Sequence, residues 1–177
     1  MDKLFKLARK HLSDKGYEIL MTMLKDVTPV WERKTSPSGK HHQKDGGYVP
    51  TIAEHTYEML LALTKVIRLF DKADHDILIM GVVLHDCLKY GKEPGVHTVK
   101  EHDALAGELV TAHKDALEPH LTLEGFWKLR GSVKYHSGRW TPNNKIGAEI
   151  FKGRLLAFAV HFLDMLSAGD CLKGDKQ

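Results

Sequence analysis

The fold is decided by the segment Ile77-Leu78-Ile79-Met80-Gly81-Val82-Val83-Leu84, which leads directly into His85-Asp86-Cys87-Leu88-Lys89-Tyr90-Gly91. The first part is apolar on every side, which is the pattern of a helix buried at the centre of a domain. We predict a helix over residues 75–90, ended by Gly91. A histidine, an aspartate and a lysine at the end of the most buried helix are costly unless they are paired or bound to a cation.

Helical periodicity dominates the rest of the chain, and no convincing alternating strand pattern appears. Residues 2–12 and 14–26 predict two short amphipathic helices. Thr51 and Glu54 form a capping box, which predicts the start of a helix whose apolar stripe runs to Phe70. The sequence therefore predicts an all-α protein.

Length and composition favour one domain. The chain has 177 residues, of which 42% are hydrophobic, and two separate cores of half this size would each be marginal. We predict a single compact helical domain over residues 1–177, with its ligand-bearing core at about 50–170 and a last helix at about 148–168. Residues 32–50 form a long polar loop, either a lid over an anionic substrate or a solvated, disordered segment.

Six residues on the predicted helices belong to the types that bind divalent metals. Imidazole and carboxylate groups build hydrolytic metal sites, and one tight His-Asp doublet with distant further ligands is expected where several helices each contribute to a shared centre. The histidines also fall on the apolar faces of their helices, so they point inward. The six candidate ligands are His55, His85, Asp86, His102, His136 and Asp164.

At these positions the chain resembles the HD-domain metal-dependent phosphohydrolases, an all-helical superfamily. The resemblance rests on Ala53-Glu54-His55, on residues 84–89 and on Phe162-Leu163-Asp164-Met165-Leu166-Ser167-Ala168. Residues 101–109 and 133–138 resemble the histidine motifs of the binuclear members. The family often has glycine before the lysine of the doublet motif, whereas this chain has Leu88, a departure that leaves the ligands untouched.

The resemblance implies an HD-type domain with two divalent ions at the centre of the helix bundle. One ion would be bound by His55, His85, Asp86 and Asp164, and the other by His102 and His136, with Asp86 as a bridge. A single-metal site, in which His102 and His136 contact substrate instead, is the alternative. The ions would be Mn, Fe, Co, Ni or Mg, and the sequence does not distinguish them.

The same resemblance implies cleavage of a phosphate ester or anhydride bond of a nucleotide by metal-activated hydroxide. Asp86 would fix the ions, Lys89 would neutralise charge on the phosphate, and His161 would give a proton to the leaving oxygen. Further candidate substrate contacts are Lys134, Arg139 and Arg33.

Other functions stay open at this point. An HD-type nuclease or a cyclic-nucleotide phosphodiesterase would use the same ligands, and a non-catalytic metal- or nucleotide-binding regulatory module is the alternative of another class. A missing ligand would mark such a module, and none of the six is missing. The compact domain favours a small anionic nucleotide, and the lack of an aromatic-rich basic stripe makes single-stranded nucleic acid the less favoured partner. The chain has no P-loop, dinucleotide-binding or serine-hydrolase motif.

Charge, hydropathy and cysteine usage say less about function than the candidate ligands do. The net charge of +3 is spread over scattered lysines, so it fits an anionic substrate and an ordinary solvated surface equally. No run of 18 apolar residues exists, so we predict no membrane span. The start lacks the apolar core of a secretory signal, and Cys87 and Cys171 form no C-x-x-C motif, so we predict a reducing, cytoplasmic location.

Overall fold

The computed structural model describes residues 1–28, 30–36, 44–138 and 154–168. Within these ranges there is no β-strand, and an isolated antiparallel bridge joins Lys34 to Thr51. The predicted all-α class is confirmed. The α-helices are α1 (Asp2–His11), α2 (Asp14–Lys25), α3 (Ile52–Val66), α4 (His75–Leu84), α5 (His102–Ala112), α6 (Lys114–Lys134) and α7 (Leu155–Ser167), and short 3-10 helices cover Asp45–Gly47, Ile67–Leu69 and Lys72–Asp74.

Helix α4 lies at the centre of the bundle, as its sequence predicts. Every residue from Ile77 to Leu84 is buried, and α4 packs against α1, α2, α3, α6 and α7. Gly81 permits a close approach to α6, because a Cβ atom at this position would lie 2.7 Å from Ser132 Oγ. Since α4 is central, the residues that follow Leu84 enter the middle of the molecule.

The predicted helix over 75–90 is too long, because α4 ends at Leu84 and residues 85–94 form turns. The Val82 carbonyl, which a longer helix would pair with a backbone N–H, instead lies 2.7 Å from the ring Nδ1 of His85. Gly91 closes the turns with a positive φ of 89°, a conformation that glycine adopts without strain.

The other predicted helix boundaries agree with the structure within a few residues, except at the start of the last helix. The capping box of Thr51 and Glu54 is present at the start of α3, although this helix ends at Val66. Arg154 has the non-helical φ of −125° and precedes α7, which begins at Leu155. The part of the predicted last helix at 148–153 lies outside the described residues.

Both flanks of the 32–50 segment are anchored. Thr35 donates its backbone N–H to the Pro50 carbonyl at 2.9 Å, and Ile52 donates to the Arg33 carbonyl at 2.8 Å. Trp31 is buried in the core. Residues 37–43, the middle of the predicted lid, are outside the described ranges, so the lid stays a prediction.

None of the described helices is both long and apolar enough to cross a membrane.

Candidate metal centre

The six predicted ligands converge at the core from five segments of the chain. Their ligand atoms form two groups, and within each group these atoms lie within 4.8 Å of one another. The neighbours His85 and Asp86 fall into different groups, because successive side chains at the end of a helix diverge by roughly 100°. The first group is His55, His85 and Asp164, and the second group is Asp86, His102 and His136.

The atoms of the first group have the spacing of a metal coordination shell. His55 Nε2 lies 3.1 Å from Asp164 Oδ1 and 3.4 Å from His85 Nε2. Ligand atoms bound at about 2.1 Å to one ion lie roughly 3 to 4 Å from one another. The first group therefore could hold a metal ion.

The second group has the same spacing. His102 Nε2 lies 3.2 Å from His136 Nε2, and Asp86 Oδ1 lies 3.3 Å from His102 Nε2 and 3.6 Å from His136 Nε2. The second carboxylate oxygen of Asp86 is 3.5 Å from His85 Nε2 in the first group. Asp86 thus stands between the two groups, where a bridging carboxylate would stand.

Backbone contacts fix how three of the histidine rings face the centre. In each, the Nδ1 atom lies within hydrogen-bonding distance of the carbonyl three residues earlier. A carbonyl only accepts, so Nδ1 carries the hydrogen, and in the neutral ring Nε2 has a lone pair. These contacts are His85 to Val82 at 2.7 Å, His102 to Val99 at 3.0 Å and His136 to Val133 at 2.7 Å.

This tautomer brings two lone pairs face to face. With both Nδ1 atoms donating to carbonyls, the Nε2 atoms of His102 and His136 meet at 3.2 Å with no hydrogen between them in the neutral rings. A cation, either a proton or a metal ion, is needed to make this contact favourable.

Two carboxylate oxygens at the centre lack hydrogen bonds. Among the described residues, Asp86 Oδ1 and Asp164 Oδ1 are buried and have no hydrogen-bonding partner. A buried, unsatisfied carboxylate oxygen is costly. Both oxygens belong to the two ligand groups, so a bound cation at each group would satisfy them.

The electrostatics of the centre favour ligand-competent forms. Burial lowers the pKa of His85 to about 3, so its ring is neutral near pH 7. Burial alone would raise the pKa of Asp86, but the positive charge of Lys89 is the largest opposing effect, and that pKa lies well below its usual range. The pKa of Asp164 is likewise lowered against the effect of burial, chiefly by its contact with His55.

Burial and the Asp86 carboxylate act in opposite directions on the pKa of His136. Burial would lower its pKa, but contact with the Asp86 carboxylate outweighs burial and raises it. At 3.6 Å this contact is electrostatic and too long for a good hydrogen bond. A metal ion in the second group would displace the proton that the raised pKa favours.

The residues of the centre differ in how far solvent reaches them. The side chains of His55 and His85 are 0% exposed, whereas those of Asp164, His102 and Lys89 are 18%, 16% and 12% exposed. Asp164, His102 and Lys89 are therefore the residues of the centre that solvent reaches most.

Two of the residues predicted to act on substrate lie beside the ligands. Lys89 Nζ donates to Asp86 Oδ2, and the charge of Asp86 raises the pKa of Lys89 against the effect of burial, so Lys89 is cationic. The ring Nδ1 of His161 donates to the backbone carbonyl of His136, a ligand of the second group, at 2.6 Å.

The other predicted substrate contacts are directed elsewhere. Lys134 Nζ lies 5.5 Å from the centroid of the Tyr135 ring. Arg33 donates to the Gly95 carbonyl and stacks over Tyr90 at 4.8 Å. Arg139 lies outside the described residues. The structure thus brings Lys89 and His161 to the centre, and it shows other partners for Lys134 and Arg33.

A cavity of about 650 Å³ lies between α6 and the start of α7, with Trp127, Arg130, Tyr135 and Arg154 in its lining. None of the six ligands lines it, so we assign it no part in the chemistry of the centre.

The sequence did not predict Ser167, which contacts the ligand His55, or Glu58, which contacts Ser167. Ser167 Oγ lies 3.0 Å from His55 Nδ1, and it donates to Glu58 Oε2 at 3.2 Å. Serine and glutamate at these positions look like ordinary polar residues near helix surfaces. The sequence feature that links them to the site is their spacing: Glu58 lies three residues after His55, and Ser167 lies three residues after Asp164.

Comparisons of the chain with protein-family models, curated proteins and solved structures gave no match. The family resemblance of the motifs therefore stays a prediction, and the argument for function rests on the geometry of the centre.

Proposed function

We propose that the chain is a metal-dependent phosphohydrolase that cleaves a phosphate ester or anhydride bond of a nucleotide at a centre for two divalent ions. The observation that carries the proposal is the pair of facing Nε2 atoms of His102 and His136 at 3.2 Å, beside the unsatisfied Oδ1 atoms of Asp86 and Asp164. These groups need cations. Their donor types are those of hydrolytic metal sites.

The number of ligands favours catalysis over simple metal storage. Each group supplies three protein ligands, and catalytic sites differ from structural ones in keeping a coordination position for water or substrate. The partial exposure of Asp164 and His102, one in each group, agrees with such an open position. A non-catalytic binding module would not need this opening.

When bound, a pair of divalent ions supplies a nucleophile at neutral pH and neutralises charge on a phosphate. The protein's own residues then have separate tasks. Asp86 holds the two groups together. Lys89, cationic and partly exposed, attracts and orients the phosphate. His161 supports the His136 turn and is the candidate proton donor to the leaving oxygen.

The types of ligand also indicate which metal ions the centre would prefer. Four imidazoles and two carboxylates suit Mn, Fe, Co, Ni or Zn better than Mg, which prefers oxygen ligands. We therefore expect activity with transition metals to exceed activity with Mg.

The test is a screen of nucleoside mono- and triphosphates, cyclic nucleotides and oligonucleotides with metal-free protein, to which Mn, Co, Ni, Fe, Zn or Mg is added. We expect phosphate or nucleotide release that requires metal, disappears on chelation and returns when metal is restored. Product identity separates a phosphatase from a diesterase. Turnover that survives thorough chelation, or stoichiometric metal binding without turnover of any of these substrates, would reject the proposal, and the second result would favour the binding module.

A further inference from the structure

His55 differs from the other histidine ligands in what orients its ring. His85, His102 and His136 lie at or beyond the ends of helices, where backbone carbonyls lack helical partners and accept from Nδ1. His55 lies inside α3, where the carbonyls of the preceding turn are used by the helix. Its Nδ1 atom contacts a side chain instead, Ser167 Oγ at 3.0 Å.

The direction of the hydrogen bonds follows from Glu58. A carboxylate accepts and does not donate, so the Ser167 hydroxyl gives its hydrogen to Glu58 Oε2 at 3.2 Å. The hydroxyl oxygen is then left to accept from His55 Nδ1–H. The chain of contacts places the ring hydrogen of His55 on Nδ1 and directs the Nε2 lone pair toward Asp164 and His85.

The same contacts join the two helices that carry these ligands. Glu58 follows His55 by three residues on α3, and Ser167 follows Asp164 by three residues on α7, so each lies on the face of its ligand. The Ser167–Glu58 bond therefore fixes α7 against α3 at the height of the first group. No corresponding side-chain contact is described for the histidines of the second group, whose Nδ1 atoms face backbone carbonyls.

We propose that Ser167 and Glu58 are positioning residues that set the tautomer and orientation of His55 and thereby control the affinity of the first ion alone. The inference rests on the proposed metal centre. Hydrogen-bonding partners of metal-bound histidines typically contribute a factor of about 10 to 100 in metal affinity.

The hydrogen-bonded chain from His55 through Ser167 and Glu58, which we call the relay, ends at Lys44. Lys44 contributes least to it. Its Nζ contacts Glu58 Oε1, but the side chains of Lys44 and Glu58 are 36% and 40% exposed. Exposed ion pairs contribute little, so we expect the effect of substitution to fall from Ser167 to Glu58 to Lys44.

The experiment is a titration of metal-free protein with Co²⁺, followed by absorption and by metal analysis after dialysis. In Ser167→Ala we expect affinity for one of the two ions to fall about 10- to 100-fold and affinity for the other to be unchanged. Ser167→Thr, which keeps the hydroxyl, restores binding, and Glu58→Gln has a smaller effect. The control is Thr64→Ala, which removes a hydroxyl on α3 that donates to the Leu61 carbonyl.

A second measurement determines the tautomer of the His55 ring directly. Long-range ¹H–¹⁵N spectra of the metal-free protein should show the His55 hydrogen on Nδ1 in the wild type and a redistribution of tautomers in Ser167→Ala. The Glu58→Gln variant, which keeps the side-chain shape, serves if Ser167→Ala does not fold.

The outcomes separate this inference from the proposed function. If the wild type binds two ions and Ser167→Ala binds both with unchanged affinity, the relay is wrong and the metal centre stands. If Ser167→Ala loses both ions together with thermal stability of the metal-free protein, Ser167 has only a structural role and the inference is also wrong. If the wild type binds no ion, both proposals fall.

Discussion

Three of the four histidine ligands repeat one local arrangement, a valine carbonyl that receives the ring Nδ1 hydrogen three residues later. Val82, Val99 and Val133 supply these carbonyls. A backbone acceptor cannot be removed by mutating a side chain, so the tautomer of these rings is determined by where each helix begins or ends. Burial then keeps His85 neutral, with a pKa of about 3, and ready to bind a metal ion.

Lys89 is the residue whose substitution best separates substrate binding from metal binding. Lys89→Met keeps the length of the side chain, removes its charge and leaves all six ligands in place. We expect kcat/KM for the nucleotide to fall about 100-fold, as for other groups that stabilise developing charge, with the metal content unchanged. Steady-state kinetics and elemental analysis of the loaded enzyme measure both quantities.

Lys92→Met is the matched control, because Lys92 pairs with Glu108 at 3.1 Å and is largely exposed. It should leave both quantities unchanged. Loss of metal in proportion to loss of activity in Lys89→Met would show that Lys89 supports the ligands instead of the substrate.

At the scale of the element, α4 depends on a close approach to α6. The Gly81→Ala Cβ would lie 2.7 Å from Ser132 Oγ and 3.4 Å from Val160 Cγ2. Ser132 is fully buried, and its hydroxyl donates to the Leu129 carbonyl at 2.8 Å, so it has little room to move. We expect Gly81→Ala to lower the free energy of unfolding by about 1–3 kcal/mol, measured by urea denaturation.

Adding Ser132→Ala tests the cause, because the nearest atom of residue 132 is then its Cβ, at 3.5 Å. The double variant should differ from Ser132→Ala in its free energy of unfolding by less than Gly81→Ala differs from the wild type. Gly131→Ala is the control on α6, since nothing lies within 4 Å of its added Cβ. Equal stability of Gly81→Ala and wild type would contradict the close packing.

The sequence predicted the elements better than their ends. The all-apolar run from Ile77 to Leu84 indicated a buried helix, and the Thr51–Glu54 box indicated a start, because both signals are local. The end of α4 was misplaced because neither the apolar run nor Gly91 indicates that the His85 ring contacts the Val82 carbonyl. The link between Glu58 and Ser167 spans 109 residues, so no local pattern announces it.

At the scale of the whole molecule, five segments separated along the chain meet at one centre because α4 is packed on most of its sides. The spacing of inward histidines predicted the convergence of the six ligands, and the family resemblance implied their division between two ions. The structure places Asp86 with His102 and His136. An ion in each group would tie α3 to α7 and join the end of α4 to α5 and α6. Metal binding should therefore stabilise the fold as a unit.

The most direct test is an anomalous difference map from crystals of the protein grown with Mn²⁺, with crystals grown in chelator as the control. The account predicts two peaks, one bound by His55, His85 and Asp164 and the other by Asp86, His102 and His136. A single peak shared by the six residues would contradict the two-ion centre, and no peak at these residues under saturating metal would contradict the metal centre itself.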